Sequence, residues 1–186
     1  RNATAPVTAI GTNGSWTIEN VTATDVLFAA VNASTSTGDW TVGNLTAENV
    51  TRGLDATNAT GNWTVRDTRV TDAGTEQSTT EGVAIAADNA TGAVTLDNLR
   101  IVDTQTDAIG ADDSTGNWSL QNVSIEDVQN DGTAADDAAG NWTLQNVSVN
   151  GTEGKGIYAD DSTGNWTLQQ VSVNDTGEEG IEGDDG

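Results

Sequence analysis

Residues Gly140 to Asp161 read GNWTLQNVSVNGTEGKGIYADD, and the same pattern recurs from one end of the chain to the other. Each copy has a tryptophan as its marker, replaced once by valine. The markers are Trp16, Trp40, Trp63, Val94, Trp118, Trp142 and Trp166. Successive markers are separated by 24, 23, 31, 24, 24 and 24 residues. A repeat of this length is typical of a solenoid, in which each repeat forms one coil that stacks on its neighbours.

The composition is strongly acidic. The 186 residues include 29 Asp and Glu against 6 Lys and Arg, and the formal net charge is -23. A surface of this sign repels phosphates, so we expect neither nucleic acid nor an anionic membrane as a partner. At molar salt the Debye length falls to about 3 Å, which removes most of the repulsion between the carboxylates. The composition resembles that of proteins from salt-loving archaea and predicts a halophilic protein.

Other bulk features limit the class of protein. The chain has no cysteine, which excludes disulfides and thiolate metal sites. No apolar run is long enough to span a membrane, so we expect no membrane insertion within this chain. High net charge is also typical of disordered chains, but disorder gives no reason for apolar residues to keep a fixed register. Neither end resembles a cap, which predicts a segment of a longer rod or a subunit that stacks on copies of itself.

Apolar and polar residues alternate after each marker. In the coil that begins at Trp142, Thr143 lies between the marker and Leu144, and every other coil has Thr or Ser at the same place. A period of two indicates a β-strand with the marker and the second apolar residue buried. Val147 and Val149 repeat the alternation in a second strand, and residues 156–159 (GIYA) form a third.

A polar column four residues after the marker predicts a sharp corner. Its members are Asn20, Asn44, Asp67, Asn98, Asn122, Asn146 and Gln170. Asn tolerates the left-handed backbone of such a corner, and its amide can bond to the equivalent amide one coil away.

This column resembles the asparagine ladder of right-handed parallel β-helices of the pectate-lyase-like superfamily. The sequence therefore predicts an all-β fold: one right-handed parallel β-helix (solenoid) of about seven three-stranded coils over residues 1–186. The superfamily includes lyases, hydrolases, adhesins and passive stalks, so the resemblance implies an architecture and not an activity.

The long step between Trp63 and Val94 indicates an insertion. We expect residues 73–81, AGTEQSTTE, to form a surface loop. Such a loop is either tolerated without a role or part of a binding face, and the sequence favours the tolerated loop.

Aspartates repeat at two corners. One column follows the GIYA strand and includes Asp112, Asp136, Asp160 and Asp184. Neighbouring coils could there offer oxygen ligands to Ca²⁺, or the residues could be solvated corners in which Asp suits the turn. A second column contains Asp25, Asp72, Asp103, Asp127 and Asp175. Because the acids recur in every coil, they argue against a single glycosidase pair.

The remaining columns suggest structural roles. The tryptophans favour a stacked core over a sugar-binding surface, and the exposed Thr column only faintly resembles the hydroxyl ladder of ice-binding β-helices. Arg69 and Arg100 occupy equivalent positions, and we expect Arg66 to pair with Asp97 on the next coil. A polysaccharide lyase would place a basic residue beside calcium-binding acids, whereas these arginines lie on a different strand from the Asp column. We predict no catalytic residue.

Asn-x-Ser/Thr sequons run from Asn2 to Asn174 and indicate an outer-surface protein, although many follow from the repeat itself. The glycosylation candidates are Asn2, Asn32, Asn58, Asn89, Asn150 and Asn174.

We expect a structural, non-enzymatic protein: a rigid stalk or filament at the surface or outside of a halophilic cell, built by end-to-end self-association. The first alternative is a carbohydrate-binding or adhesive module that binds surface glycans through the loop near Glu76 and the face of Arg66, Arg69 and Arg100. The second is a degenerate polysaccharide-active β-helix, which the absence of His and of a unique acid–base pair disfavours.

Overall fold

The computed structural model describes residues 6–74 and 82–183, and all regular structure within these ranges is β-strand. The strands are β1 (Val7–Thr8), β2 (Trp16–Asn32), β3 (Trp40–Asp55), β4 (Trp63–Ala73), β5 (Ile85–Ala86), β6 (Val94–Thr104), β7 (Ile109–Gly110), β8 (Trp118–Val128), β9 (Thr133–Ala134), β10 (Trp142–Thr152), β11 (Ile157–Tyr158), β12 (Trp166–Thr176) and β13 (Ile181–Glu182). These ranges contain no helix that could cross a membrane.

Every strand pairs in parallel with its equivalent one coil along the chain. Trp142 of β10, for example, pairs with Trp118 of β8 on one side and Trp166 of β12 on the other. The short strands form a second ladder in the same way, from β5 to β13. The predicted parallel β-helix of about seven coils is therefore confirmed.

The polar corners join two predicted strands into one long strand. All seven members of the column four residues after the marker have left-handed backbone, with φ between 51° and 60°. Because a single left-handed residue turns the chain, the ladder resumes directly beyond it. The strands β2 and β3 continue around a second corner and contain all three predicted strands of their coils.

Side-chain amides connect the corners of neighbouring coils. Asn44 Nδ2 donates to Asn20 Oδ1 at 2.7 Å, and Asn146 Nδ2 donates to Asn122 Oδ1 at 2.9 Å. Asn122 Nδ2 donates to Asp97 Oδ1 at 3.1 Å. Asp97 lies one residue before Asn98, which is the member of the column in that coil. The predicted ladder is present between Asn20 and Asn44, between Asp67 and Asn98 and between Asn122 and Asn146, whereas Asn122 bonds to Asp97 and not to Asn98.

Stacked indoles fill one side of the core. Trp118 and Trp142 lie parallel with centroids 4.5 Å apart, and Trp40 and Trp63 stack at 4.9 Å. Val94 interrupts the stack, and across it Trp63 meets Trp118 edge to face at 5.7 Å. The valine leaves space that a neighbouring ring enters, so the core stays continuous across the gap.

Two features depart from the regular coil. In the last described coil, Leu168 is 40% and Ile181 50% exposed, whereas their equivalents one coil earlier are buried. In β2, a β-bulge between Val26 and Ala29 turns Leu27 and Phe28 outward, with 57% and 76% of their surface exposed. The extra residue of the bulge explains why the first step has 24 residues and the second 23.

Candidate functional site

A groove of about 430 Å³ follows the first corner on the side that carries the arginines. Arg69 of β4 and Arg100 of β6 are register partners in its wall, as predicted. Arg100 binds both carboxylate oxygens of Glu126, with one bond of 2.7 Å. This pairing raises the pKa of Arg100 and lowers the pKa of Glu126. The charge of Arg69 also lowers the pKa of Glu126.

The predicted pair of Arg66 and Asp97 is wrong, although the two residues are register partners. Arg66 donates instead to Glu19 Oε1 at 2.5 Å and to Asp67 Oδ2 at 3.3 Å. Glu19 lies two coils away, and the intervening register position is Gly43. Because Gly43 has no side chain, the guanidinium reaches across it.

The Asp column after the third strand forms a continuous corner. Asp136 N donates to Asp112 Oδ1 at 3.0 Å, and Tyr158 OH donates to Asp160 Oδ2 at 3.3 Å. The pKa of Asp136 is raised first by burial and then by the charges of Asp137, Asp112 and Asp160. The acids therefore repel one another, as the sequence predicts, while they support the turn.

This column does not form an evident metal site. Within residues 6–74 and 82–183, no three His, Cys, Asp or Glu side chains are grouped so that they could hold a metal ion. Oδ1 of Asp112 and of Asp160 each accepts a backbone N–H. Asp184 lies outside the described residues, and calcium at the four aspartates stays a prediction.

A second acidic column lines a groove of about 470 Å³. Asp72, Asp103 and Asp127 there have φ of 53°, 56° and 56°, which is the left-handed backbone of a corner. Asn49 and Gly151 complete this column, although they were not predicted from the sequence. The repeat spacing could have identified them, because each of the two residues lies 24 residues after an aspartate of the column. These acids belong to the architecture of the coil.

A polar network at the turn before the third strand was also missed. Asp107 Oδ1 accepts from Asn130 Nδ2 at 2.7 Å and from Asp131 N at 3.1 Å. Asp131 Oδ1 in turn accepts from Lys155 N at 2.6 Å. Burial raises the pKa of Asp107 to about 6 and also raises the pKa of Asp131. The 24-residue spacing could have identified this network as well, because it places Asp107, Asp131 and Lys155 in one column.

The side chain of Lys155, the single lysine of the chain, makes further contacts at this network. Lys155 Nζ lies 2.5 Å from Glu182 Oε2 and 3.8 Å from the centroid of the Tyr158 ring. The hydrogen bond to Glu182 raises the pKa of Lys155, and burial raises the pKa of Tyr158. The lysine therefore joins the last two described coils.

The tryptophans belong to the core, as predicted. Trp40, Trp63, Trp118 and Trp142 are at most 2% exposed. Their indole N–H groups have no hydrogen-bond acceptor within the described chain, whereas Trp16 Nε1 donates to Thr12 at 2.8 Å. The Thr residues beside them are half-buried or exposed, as the alternation predicts.

The glycosylation candidates lie at the surface of the coils. Asn58, Asn89, Asn150 and Asn174 are exposed, and Asn32 is half-buried. Asn2 lies outside the described residues, as do Glu76 and most of the predicted loop at 73–81.

Comparison with known proteins gives one match. A family described as a right handed beta helix region matches residues 8–184. No curated protein and no solved structure matches. The family match covers every strand from β2 to β13, including the Arg groove and both Asp columns.

Proposed function

Because the chain belongs to the right-handed β-helix family, we propose that it is a structural, non-enzymatic protein that forms a rigid stalk or filament at the surface or outside of a halophilic cell. The observation that carries this proposal is the unbroken parallel ladder, in which each long strand from β2 to β12 pairs with the next. A ladder of this kind resists bending because every coil is bonded to both neighbours along its length.

The distribution of polar groups supports a structural role. Carboxylates recur at the corners of successive coils and do not gather at one place within the described ranges. An active site needs a distinct set of groups with different environments. Here most of the left-handed corner positions hold Asn or Asp and serve the same turns from coil to coil.

The charge supports a halophilic and extracellular setting. At a net charge of -23, stacked carboxylates destabilise the compact state unless salt screens them. The raised pKa of Asp136 beside Asp112 and Asp160 is one local sign of this repulsion. The sequons agree with a protein that is exported.

The last described coil supports axial association. Leu168 and Ile181 are half-exposed there and line a cavity of about 320 Å³ with Trp166 and Ile157. A further coil, from the same chain or from another copy, would bury these side chains as Leu144 is buried one coil earlier. Burial of an apolar surface contributes about 25 cal/mol per Å².

Electron microscopy and small-angle scattering in molar salt test the proposal. We expect rods of constant cross-section that lengthen with protein concentration. A monodisperse particle at all concentrations would contradict self-association. Cleavage of an acidic polysaccharide by the purified chain would contradict the non-enzymatic role.

The groove beside Arg69 and Arg100 favours one second candidate, a carbohydrate-binding or adhesive module. Two cations are adjacent there, of which Arg100 binds Glu126, and anionic or hydroxylated sugars bind such groups. A glycan array with Arg69→Gln tests this candidate. Arg52→Gln is the matched control, because Arg52 pairs with Asp55 and does not line the groove.

A further inference from the structure

The sequons are not equivalent in the folded chain, because many of their asparagines bind another coil or a nearby group. In two rows the side-chain amides connect neighbouring coils. Asn44 donates to Asn20, and Asn141 and Asn165 donate to the row that begins at Asn117. Asn122 and Asn146 belong to the same row as Asn20 and Asn44, and their amides also donate to the neighbouring coil. The side chains of Asn13, Asn32, Asn49, Asn62 and Asn174 also make hydrogen bonds.

A glycan on the asparagines of these two rows would disturb the stacking of the coils. Asn Nδ2 is the atom to which the sugar is attached, and it donates to an oxygen of the preceding coil at 2.7 to 3.2 Å in Asn44, Asn122, Asn141, Asn146 and Asn165. Adjacent coils are separated by only about 4.8 Å. A sugar at this nitrogen therefore competes with the neighbouring coil for the same space.

In the sequon of Asn150, the residue that carries the hydroxyl group is buried. Asn150 is exposed, but Thr152 of the same sequon is 3% exposed and donates to Gly154 O at 3.2 Å. A transferase recognises the asparagine and the hydroxyl together, and here the hydroxyl lies inside the coil.

Within the described residues, two sequons combine exposed ends with side chains that make no hydrogen bond. Asn58 and Thr60 are exposed, and so are Asn89 and Thr91, while the alanine between them is buried in each case. Within the described residues, the side chains of these four residues make no hydrogen bond. Asn58 and Asn89 have φ of 59° and 58°, so the left-handed corner turns both side chains outward.

The two sites also share one place in the fold. Asn58 N donates to Asp88 O at 2.9 Å, and Asn89 N donates to Asp112 O at 2.8 Å, so the two asparagines lie at the same corner of adjacent coils. Later coils have Asp113, Asp137 and Asp161 at this position. The corner is therefore held rigidly and open to solvent.

From this geometry we propose that Asn58 and Asn89 are the glycosylated sequons and that the asparagines of the coil-to-coil rows remain unmodified. The proposal rests on the proposed function, because a lipid-linked sugar donor meets a protein on its way to the cell surface. Nδ2 attacks the anomeric carbon of a sugar carried on a lipid phosphate or pyrophosphate. The C–N bond forms, the anomeric C–O bond breaks, the lipid phosphate leaves with the electron pair, and one amide proton passes to a base of the transferase.

Glycopeptide mass spectrometry on the full chain tests the proposal, after export from a host that glycosylates sequons. We expect glycan on the peptides that contain Asn58 or Asn89 and none on those that contain Asn122, Asn141 or Asn146. The variant T60A/T91A removes both sequons without changing the corner asparagines, and it should lose at least nine-tenths of the attached glycan. T60S/T91S keeps the sequons and is the matched control.

Glycan mainly on the coil-to-coil rows, or no glycan on the exported chain, would overturn the proposal. Electron microscopy of the same samples separates this outcome from a failure of the proposed function. Rods without glycan overturn only the glycosylation sites, whereas glycan on the corner with no rods overturns only the structural role.

Discussion

Arg66 and Glu19 form an ion pair of 2.5 Å although a whole coil lies between them. The register position between them is Gly43, where an added Cβ would collide with Glu19 Oε2. Both side chains are more than one-third exposed, so the pair is at the surface. A glycine in a β-helix row thus allows charged side chains two coils apart to meet.

Gly43→Ala should break this pair by displacing the Glu19 carboxylate. We expect a loss of about 0.2–1 kcal/mol at low salt and almost none at molar salt, because exposed ion pairs are weak and screened. Urea unfolding at both salt concentrations measures it. Since Ala also changes the entropy of the unfolded chain, Arg66→Gln is compared in both backgrounds. An equal effect of Arg66→Gln with and without Gly43 would disprove the pairing.

Asp107→Asn should stabilise the protein above about pH 6. Burial raises the folded pKa of Asp107 to about 6, above about 3.9 in an unfolded chain. The stability it contributes is complete below the unfolded pKa and is lost as the pH rises through the folded pKa. Asn keeps the accepting oxygen and does not titrate, so the variant should gain about 2–3 kcal/mol at pH 7 and nothing near pH 3.

Unfolding curves from pH 3 to pH 8 in molar salt measure this difference. Asp113→Asn is the control, because Asp113 is exposed and Asn is already found at its corner position in other coils. A gain for Asp107→Asn that is the same at every pH would show that burial of the charge is not the cause.

Trp142→Ala should cost about 3–5 kcal/mol, because the ring is buried between two parallel neighbours. Trp166→Ala should cost clearly less, since Trp166 is half-buried and stacks on one side only. Chemical unfolding of both variants gives the comparison. Equal losses would mean that the stack does not carry the core's stability.

Salt should raise the melting temperature strongly. Carboxylates one coil apart repel by about 1 kcal/mol in water, and screening several such contacts corresponds to a rise of about 10 °C or more. The variant D113N/D137N/D161N should show a smaller dependence on salt, because it neutralises one exposed column at positions that accept Asn. A melting temperature independent of salt would contradict the halophilic interpretation.

The sequence predicts those features that the coil period determines. The buried Trp142 and Leu144, the outward Thr143 and the left-handed Asn146 all follow from residue type and spacing, and the structure has each of them as predicted. These features depend on one coil and its nearest neighbours, which a repeat exposes directly.

The features that the sequence did not predict depend on how far individual side chains extend and on local irregularities of the repeat. The partner of Arg66 is decided by the missing side chain at Gly43, which lies between Arg66 and Glu19, two coils apart. The tilted contact of Trp63 and Trp118 depends on the space that Val94 leaves. The raised pKa of Asp107 depends on how deeply its turn packs, which residue type alone does not give.

Distances between spin labels in the Thr column test the stacking most directly. The chain has no cysteine, so pairs of cysteines at Thr17, Thr41, Thr143 and Thr167 can be labelled alone. The register places Thr17 five coils from Thr143 and six from Thr167. We expect narrow distributions near about 24 and 29 Å, and near about 19 Å for Thr41 with Thr143, whatever the number of residues between them. Broad distributions, or distances that do not rise by about 5 Å per coil, would contradict the β-helix.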